Sequence, residues 1–294
     1  MTEGLRTVVG CSAGSIVALM LAMRLRSSDM EAWVRDGVAT GDLTEVDLEG
    51  IWSIARCERM GLDDGERIMS KIRLMVTRRF GLVDDRNDIS FLEFAKATGI
   101  DLRVSATCLE DCCGVILGME TTPDLGVLKA VRMSISVPLL FTPVYHRGKT
   151  YIDGGMFDYC PTSHILDSHI ATRTLAFRIS SKTIGCCDGQ MTKENDVTPT
   201  PPGMMIYITM LIRAAMMRSQ SSSSFFCRGM GMGMELVDVE TIEIPSLIDG
   251  GCGVSFDPLS MALAFPSTCI DAYILHGHTE CASHFLHRVT KTQK

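Results

Sequence analysis

Between residues 7 and 25 the hydrophobic pattern changes period. Thr7-Val8-Val9 is a short β-branched run, Gly10-Cys11-Ser12-Ala13-Gly14 interrupts it, and apolar residues recur at helical spacing from Ile16 to Leu25. That order predicts a strand, a tight turn and a helix. Leu48, Ile51, Trp52 and Ala55, and then Ile68, Met69, Ile72 and Met75, keep the helical period and predict a helical layer over residues 30 to 80. Ser90-Phe91-Leu92-Glu93 reads as a capping box whose helix stops at Gly99. Strands are expected at Leu102 to Thr107 and Gly114 to Met119. Asp124 is expected to cap a helix running through Val127, Leu128 and Val131 to Ser134, ended by Val137-Pro138. Phe141 to Tyr145 and Thr150 to Ile152 flank the polar turn His146-Arg147-Gly148-Lys149 and predict a hairpin that delivers Asp153-Gly154-Gly155. Beyond it come a strand at Thr174 to Ile179, a polar loop at 180–202, an apolar helix from Met204 to Met217 and a mobile low-complexity loop at 220–233. A strand at Val237 to Ile244 and helices at 258–264 and 267–288 close the chain. Strands alternating with helices predict a layered α/β fold with a mainly parallel sheet, in one domain.

Composition narrows the setting. With 294 residues, there is chain enough for one large α/β domain. A net charge of -7 with scattered basic residues leaves no electrostatic footprint for nucleic acid. The 12 cysteines include the adjacent pairs Cys112-Cys113 and Cys186-Cys187 and follow neither disulfide nor zinc spacing, so they read as reduced thiols. Met1-Thr2-Glu3-Gly4 leads straight into the first strand without the pattern of a signal peptide, and the apolar runs Ile16 to Met23 and Met204 to Ile212 are too short to span a bilayer. A cytoplasmic protein is expected.

The chemistry centres on the turn after the first strand. A Gly-x-Ser-x-Gly turn holds Ser12 in a strained conformation with its hydroxyl lifted off the sheet, and small residues at Gly10 and Gly14 let strand and helix pass closely. Ser12 also stands at a helix N-terminus, where free N–H groups favour a developing oxyanion. Serine needs a base. One route is a triad using a late histidine, His276, His278, His284 or His287; the other is a shielded carboxylate, for which Asp153 at a strand end before two glycines is suited.

Gly10-Cys11-Ser12-Ala13-Gly14-Ser15 together with Asp153-Gly154-Gly155 resembles the patatin-like phospholipases. The resemblance extends through Phe91 to Gly99, Leu102 to Thr107, Glu120 to Asp124, Ala130 to Pro138 and Asp153 to Pro161, and over roughly residues 5 to 290 in all. It implies a three-layer α/β sandwich and a Ser12-Asp153 dyad without histidine, with the Ala13 N–H as an oxyanion donor and Gly10, Gly14, Gly154 and Gly155 as motif support. The implied reaction is hydrolysis of a fatty-acyl ester through an acyl-enzyme, requiring no metal or cofactor. Membrane phospholipid or another acyl lipid is the implied substrate, met by peripheral contact with the membrane. The family's earlier glycine-rich strand, which supplies most of its oxyanion hole, has no counterpart in the nine residues before Gly10. That departure carries a second expectation, a weakly active or silent protein that binds lipid or a partner.

Several residues have competing readings. Arg132 is either a contact for a lipid phosphate or a solvated helix charge. Met204, Met205, Met210, Met216 and Met217 suit a core helix or a soft lipid-facing surface. Cys11 is expected to point into the fold. The second Asp249-Gly250-Gly251 reads as an ordinary turn, and the glycines at 229, 231 and 233 as part of a flexible loop.

Overall fold

Asp101-Leu102-Arg103-Val104-Ser105-Ala106-Thr107-Cys108 forms strand β3, and every residue after Asp101 is buried in the computed structural model. Covered on both faces, such a strand carries small and apolar residues without strict alternation. The structure describes residues 4–39, 60–82, 88–162, 164, 174–180, 208, 211–212 and 239–245. Contacts divide the chain into two compact units, Met1–Thr172 with Ile212–Val237, and Arg173–Leu211 with Asp238–Lys294.

In the first unit β1 (Thr7–Cys11) leads into α1 (Ala13–Ala22), followed by α2 (Ser27–Ala39), β2 (Gly61–Asp63), α3 (Glu66–Phe80) and α4 (Phe91–Thr98). After β3 come β4 (Cys113–Gly118), α5 (Val127–Ser134), β5 (Leu139–Phe141), β6 (Val144–His146) and β7 (Lys149–Asp153). Strands β1, β3, β4, β6 and β7 make one five-stranded sheet. β4 runs antiparallel along one edge of β3, from Arg103↔Gly118 to Cys108↔Cys113. The other edge is shared. β1 pairs in parallel with its first half, from Thr7↔Asp101 to Cys11↔Ser105, and β7 pairs antiparallel with the second, from Ala106↔Asp153 to Cys108↔Tyr151. The carboxyl ends of β1 and β7 therefore meet end to end, at the step from Ser105 to Ala106.

The α/β class holds, whereas the sheet among the described residues is mixed: β1–β3 is parallel, and the β3–β4, β3–β7 and β6–β7 pairings are antiparallel. The hairpin feeding β7 is the physical reason. Arg147 and Gly148 form its two-residue turn, both at positive φ, and such a turn joins only antiparallel strands. Helices α1 and α5 pack on β3, and Leu19, Phe94, Leu102, Val104, Val127 and Val131 form part of one buried core. The capping box is present, with Glu93 N–H donating to Ser90 Oγ, and Gly99 ends α4 in the left-handed region.

Three local expectations change. The strand expected at Phe141 to Tyr145 is divided, Leu139–Phe141 pairing with β2 and Val144–His146 with β7, because Thr142 breaks away to give its N–H to the Asp63 carbonyl. Within the predicted helical layer, Gly61–Asp63 is a strand, paired in parallel with β5; three residues carry too little alternation to signal it. Leu48, Ile51, Trp52 and Ala55 lie outside the described residues. Asp124 does not cap α5, whose N-cap is Gly126. Asp88 does the work from a distant segment, accepting from Leu128 N–H at 2.9 Å and Lys129 N–H at 3.0 Å. In the second unit β8 (Thr174–Ser180) and β9 (Val239–Pro245) pair in parallel, close to their expected positions. Residues 208, 211 and 212 of the expected apolar helix are helical; the methionines named above, the late histidines, the 220–233 loop and Asp249-Gly250-Gly251 lie outside the described residues.

Removing the borrowed cap should weaken the helix on which the site rests. Asp88→Ala is expected to cost about 1–2 kcal/mol in urea unfolding, whereas Asp124→Ala should leave the midpoint unchanged within error.

Candidate active site

The end-to-end meeting of β1 and β7 decides what lies beside what. Ser12 follows the last residue of β1, and Asp153 is the last residue of β7. Ser12 has φ 54 and ψ -133, a conformation costly for a side chain with a Cβ. It occupies the N-cap of α1, yet its hydroxyl makes no capping bond. Its carbonyl instead accepts from the Ser15 N–H at 2.8 Å and the Ser15 hydroxyl at 2.7 Å.

Asp153 is 0% exposed and held on nearly every side. Its N–H donates to the Ser136 carbonyl at 2.9 Å, and its own carbonyl accepts from the Thr107 hydroxyl at 2.9 Å. Carboxylate oxygen Oδ1 accepts from the Gly155 N–H at 2.7 Å. Among the described residues, Oδ2 has no hydrogen-bond partner of full geometry. Burial pushes the pKa from the usual 3.8 up to about 6, against the pull of the Ser12 hydroxyl and the Gly155 N–H, both of which favour the charged form. The serine hydroxyl is thus close enough to the carboxylate to favour its charged form.

The four motif glycines serve different needs. A Cβ on Gly10 would come within 2.5 Å of the Gly14 carbonyl oxygen and of Ser15 Cα, so strand and helix touch there. A Cβ on Gly154 would lie 2.6 Å from the Ser105 carbonyl oxygen, which makes glycine a condition for β7 ending against β3. Gly155 contributes its N–H to Asp153. Gly14 departs from expectation: a Cβ there would meet nothing within 4 Å, because it faces outward on α1 beside exposed Ala13, so it is not needed for close passage.

The two spaced motifs and the sheet that joins them lie inside one family's boundaries: the sequence pattern of the patatin-like phospholipases matches residues 3–166. The chain belongs to the patatin-like phospholipase family. Two viral relatives match over a similar length of chain. One, named "Probable lipid hydrolase 463L", from Invertebrate iridescent virus 6, is 26% identical over 163 residues, 55% of this chain and 54% of its own length. The other, "Uncharacterized protein R571" from Acanthamoeba polyphaga mimivirus, is 26% identical over 162 residues, 52% of this chain and 48% of its own. The matched region spans about half the length of each relative.

Of the remaining candidates, Arg132 fits neither reading proposed for it. Its Nη1 donates to Ser136 Oγ at 2.6 Å, and Nη2 to the carbonyls of Asp64 at 2.7 Å and Thr142 at 2.8 Å, while the guanidinium lies over the Phe141 ring. This patatin-like chain uses it as a tie between α5, the turn before α3 and the end of β5. Cys11 is partly buried, and burial pushes the thiol pKa well up, helped by Asp153, so it stays protonated and weakly nucleophilic. Among the described residues, no group of three or more His, Cys, Asp and Glu side chains is arranged to hold a metal ion. Ser105, Thr107, Ser134 and Ser136, all buried around the pair, lie in segments that carry the family resemblance, but the sequence assigned none of them a role. The signal available for Ser134 was a polar residue on the apolar face of its helix, where Val127, Leu128, Ala130, Val131 and Met133 are also buried.

Two outcomes follow for stability. Gly10→Ala should cost at least about 2–3 kcal/mol because it presses a methyl group into backbone, while Gly14→Ala should be neutral or stabilising by about 0.5–1 kcal/mol; thermal unfolding distinguishes them. A raised Asp153 pKa means that the folded protein holds the proton more tightly than the unfolded chain. Its contribution is complete below the unfolded value of 3.8 and is lost as pH rises through about 6. Asp153→Asn should therefore gain about 3 kcal/mol on wild type between about pH 3.5 and pH 8, as read by urea unfolding at each pH.

Proposed function

We propose that this chain is a lipid acyl hydrolase of the phospholipase A type, with Ser12 as nucleophile and Asp153 as general base. The observation that carries the reading is the buried carboxylate, whose Oδ2 has no partner among the described residues, beside a serine hydroxyl freed from capping. A pKa near 6 leaves the carboxylate charged at neutral pH, yet far more basic than an exposed aspartate. Among the described residues, the groups that bear on it are the Ser12 hydroxyl and the Gly155 N–H, both of which favour its charged form.

In the first half-reaction Asp153 Oδ2 takes the Ser12 proton as Oγ attacks the ester carbonyl carbon. The developing oxyanion is met by the Ala13 N–H, one of the first N–H groups of α1, which have no acceptor within the helix. Collapse of the tetrahedral species expels the alcohol, which leaves with the proton from Asp153. In the second half-reaction Asp153 takes a proton from water, the hydroxide attacks the acyl-serine, and the fatty acid departs as Ser12 recovers its proton. The name of the viral lipid hydrolase is consistent with an acyl lipid as substrate. So is the outward face of α1 beside Ser12, where Ala13, Gly14 and Val17 are exposed and Val17 is 48% accessible. We place the reaction in the cytoplasm, at a phospholipid surface touched peripherally, and within a three-layer α/β architecture.

Fatty-acid release from mixed phospholipid micelles in the presence of chelator tests the reading. Wild type should release fatty acid, and Ser12→Ala and Asp153→Asn should each fall by at least about 1000-fold. Activity should decline below about pH 6, where Asp153 becomes protonated. Equal release by wild type and Ser12→Ala would reject the enzyme and leave the silent, lipid-binding reading; full activity in Asp153→Asn would reject the dyad.

A further inference from the structure

The nucleophile and the base are held by the same three residues. At the end of α5, Ser134 Oγ accepts from the Ser12 N–H at 2.9 Å, and two residues later the Ser136 carbonyl accepts from the Asp153 N–H at 2.9 Å. Both serines are 0% exposed. Burying a hydroxyl on the apolar face of a helix costs free energy unless it is paired, so this position calls for a partner. The Ser12 N–H is in the matching situation. β1 ends at Cys11, and an N–H at the N-cap has no acceptor within the helix, so without Ser134 it would be orphaned beside the core.

The segment is itself fastened. Ser136 Oγ donates to the Arg132 carbonyl at 2.7 Å and accepts from Arg132 Nη1 at 2.6 Å, and Arg132 Nη2 reaches the Asp64 and Thr142 carbonyls. Ile135 between the serines keeps its N–H bonded to the Val131 carbonyl at 3.0 Å. A rigid element therefore grips Ser12 by the amide of its strained residue and Asp153 by its main chain.

We propose that Ser134 is a positioning residue for the reaction: with the Ser136 carbonyl it forms a bracket that fixes the Ser12 hydroxyl relative to the Asp153 carboxylate. The proposal rests on the reading of Ser12 and Asp153 given above. Ser134 takes no part in the bond changes. Its hydrogen bond opposes relaxation of the positive φ at Ser12, and relaxation would swing the hydroxyl away from Oδ2.

Hydrolysis of p-nitrophenyl butyrate by the full chain tests this, comparing wild type with Ser12→Ala, Ser134→Ala, Ser134→Cys and Val127→Ala. Misplacing a reacting group by about 1 Å costs up to about 100-fold in rate. Ser134→Ala should lower kcat by about 10- to 100-fold with KM within about twofold, and its acid-limb midpoint should move up as the carboxylate loses the serine hydroxyl that favours its charge. Ser134→Cys keeps the shape with a weaker acceptor and should fall in between, which secures the test if the alanine variant folds poorly. Val127→Ala empties buried space on the same helix without touching the bracket; it should lower the melting temperature and leave kcat and midpoint at wild type. Wild-type kcat and midpoint in Ser134→Ala and Ser134→Cys, with hydrolysis lost in Ser12→Ala, would overturn the bracket alone. So would the same losses in Val127→Ala. Hydrolysis that does not depend on Ser12 would overturn the nucleophile assignment, and the bracket with it.

Discussion

One edge of β3 is divided between two strands, and the site depends on that division. Because β4 fills the opposite edge from Arg103 to Cys108, β1 and β7 must share what remains, one parallel and one antiparallel, with their carboxyl ends facing. Whatever residues stand at those ends are forced together. Here they are a serine on a strained turn and an aspartate with no exposed surface.

The cost of this arrangement falls on Asp153. Shifting its pKa from 3.8 to about 6 corresponds to about 3 kcal/mol of destabilisation once the group is charged, a sizeable share of a domain's typical net stability of about 5–15 kcal/mol. The surrounding structure spends its polar contacts on orientation rather than on neutralising the charge. Thr107 and Ser136 bind the main chain of Asp153, Gly155 takes Oδ1, and Oδ2 has no partner among the described residues. Asp88 shows the contrast, with both of its oxygens engaged by the N–H groups of Ile89, Leu128 and Lys129.

The residues that carry strong local rules were legible in the sequence. Strand, turn and helix around Ser12, the Ser90-Glu93 capping box, Gly99 as helix end and the hairpin turn at Arg147-Gly148 each depend on neighbours within a few positions, and each stands where its pattern puts it. What was hidden depends on distant partners. Asp88 caps a helix some forty residues away, β2 forms only because β5 offers an edge, and Arg132 looked like a surface charge until Asp64 and Thr142 were placed around it. The same applies to the site: Ser12 and Asp153 could be named from their motifs, whereas Ser134 and Ser136 stood in a resembling segment without a role, and their value comes from what β1 and β7 bring to them. Gly14 is the reverse case, a motif residue whose glycine the packing does not require.

The most direct measurement of the central claim is the site of covalent capture by a long-chain alkyl fluorophosphonate, located by peptide mass mapping in wild type and in Asp153→Asn. The account predicts a single adduct on Ser12 at neutral pH, formed far more slowly when Asp153 is replaced. An adduct on another residue, or one formed at the same rate on Ser12 without the Asp153 carboxylate, would contradict it.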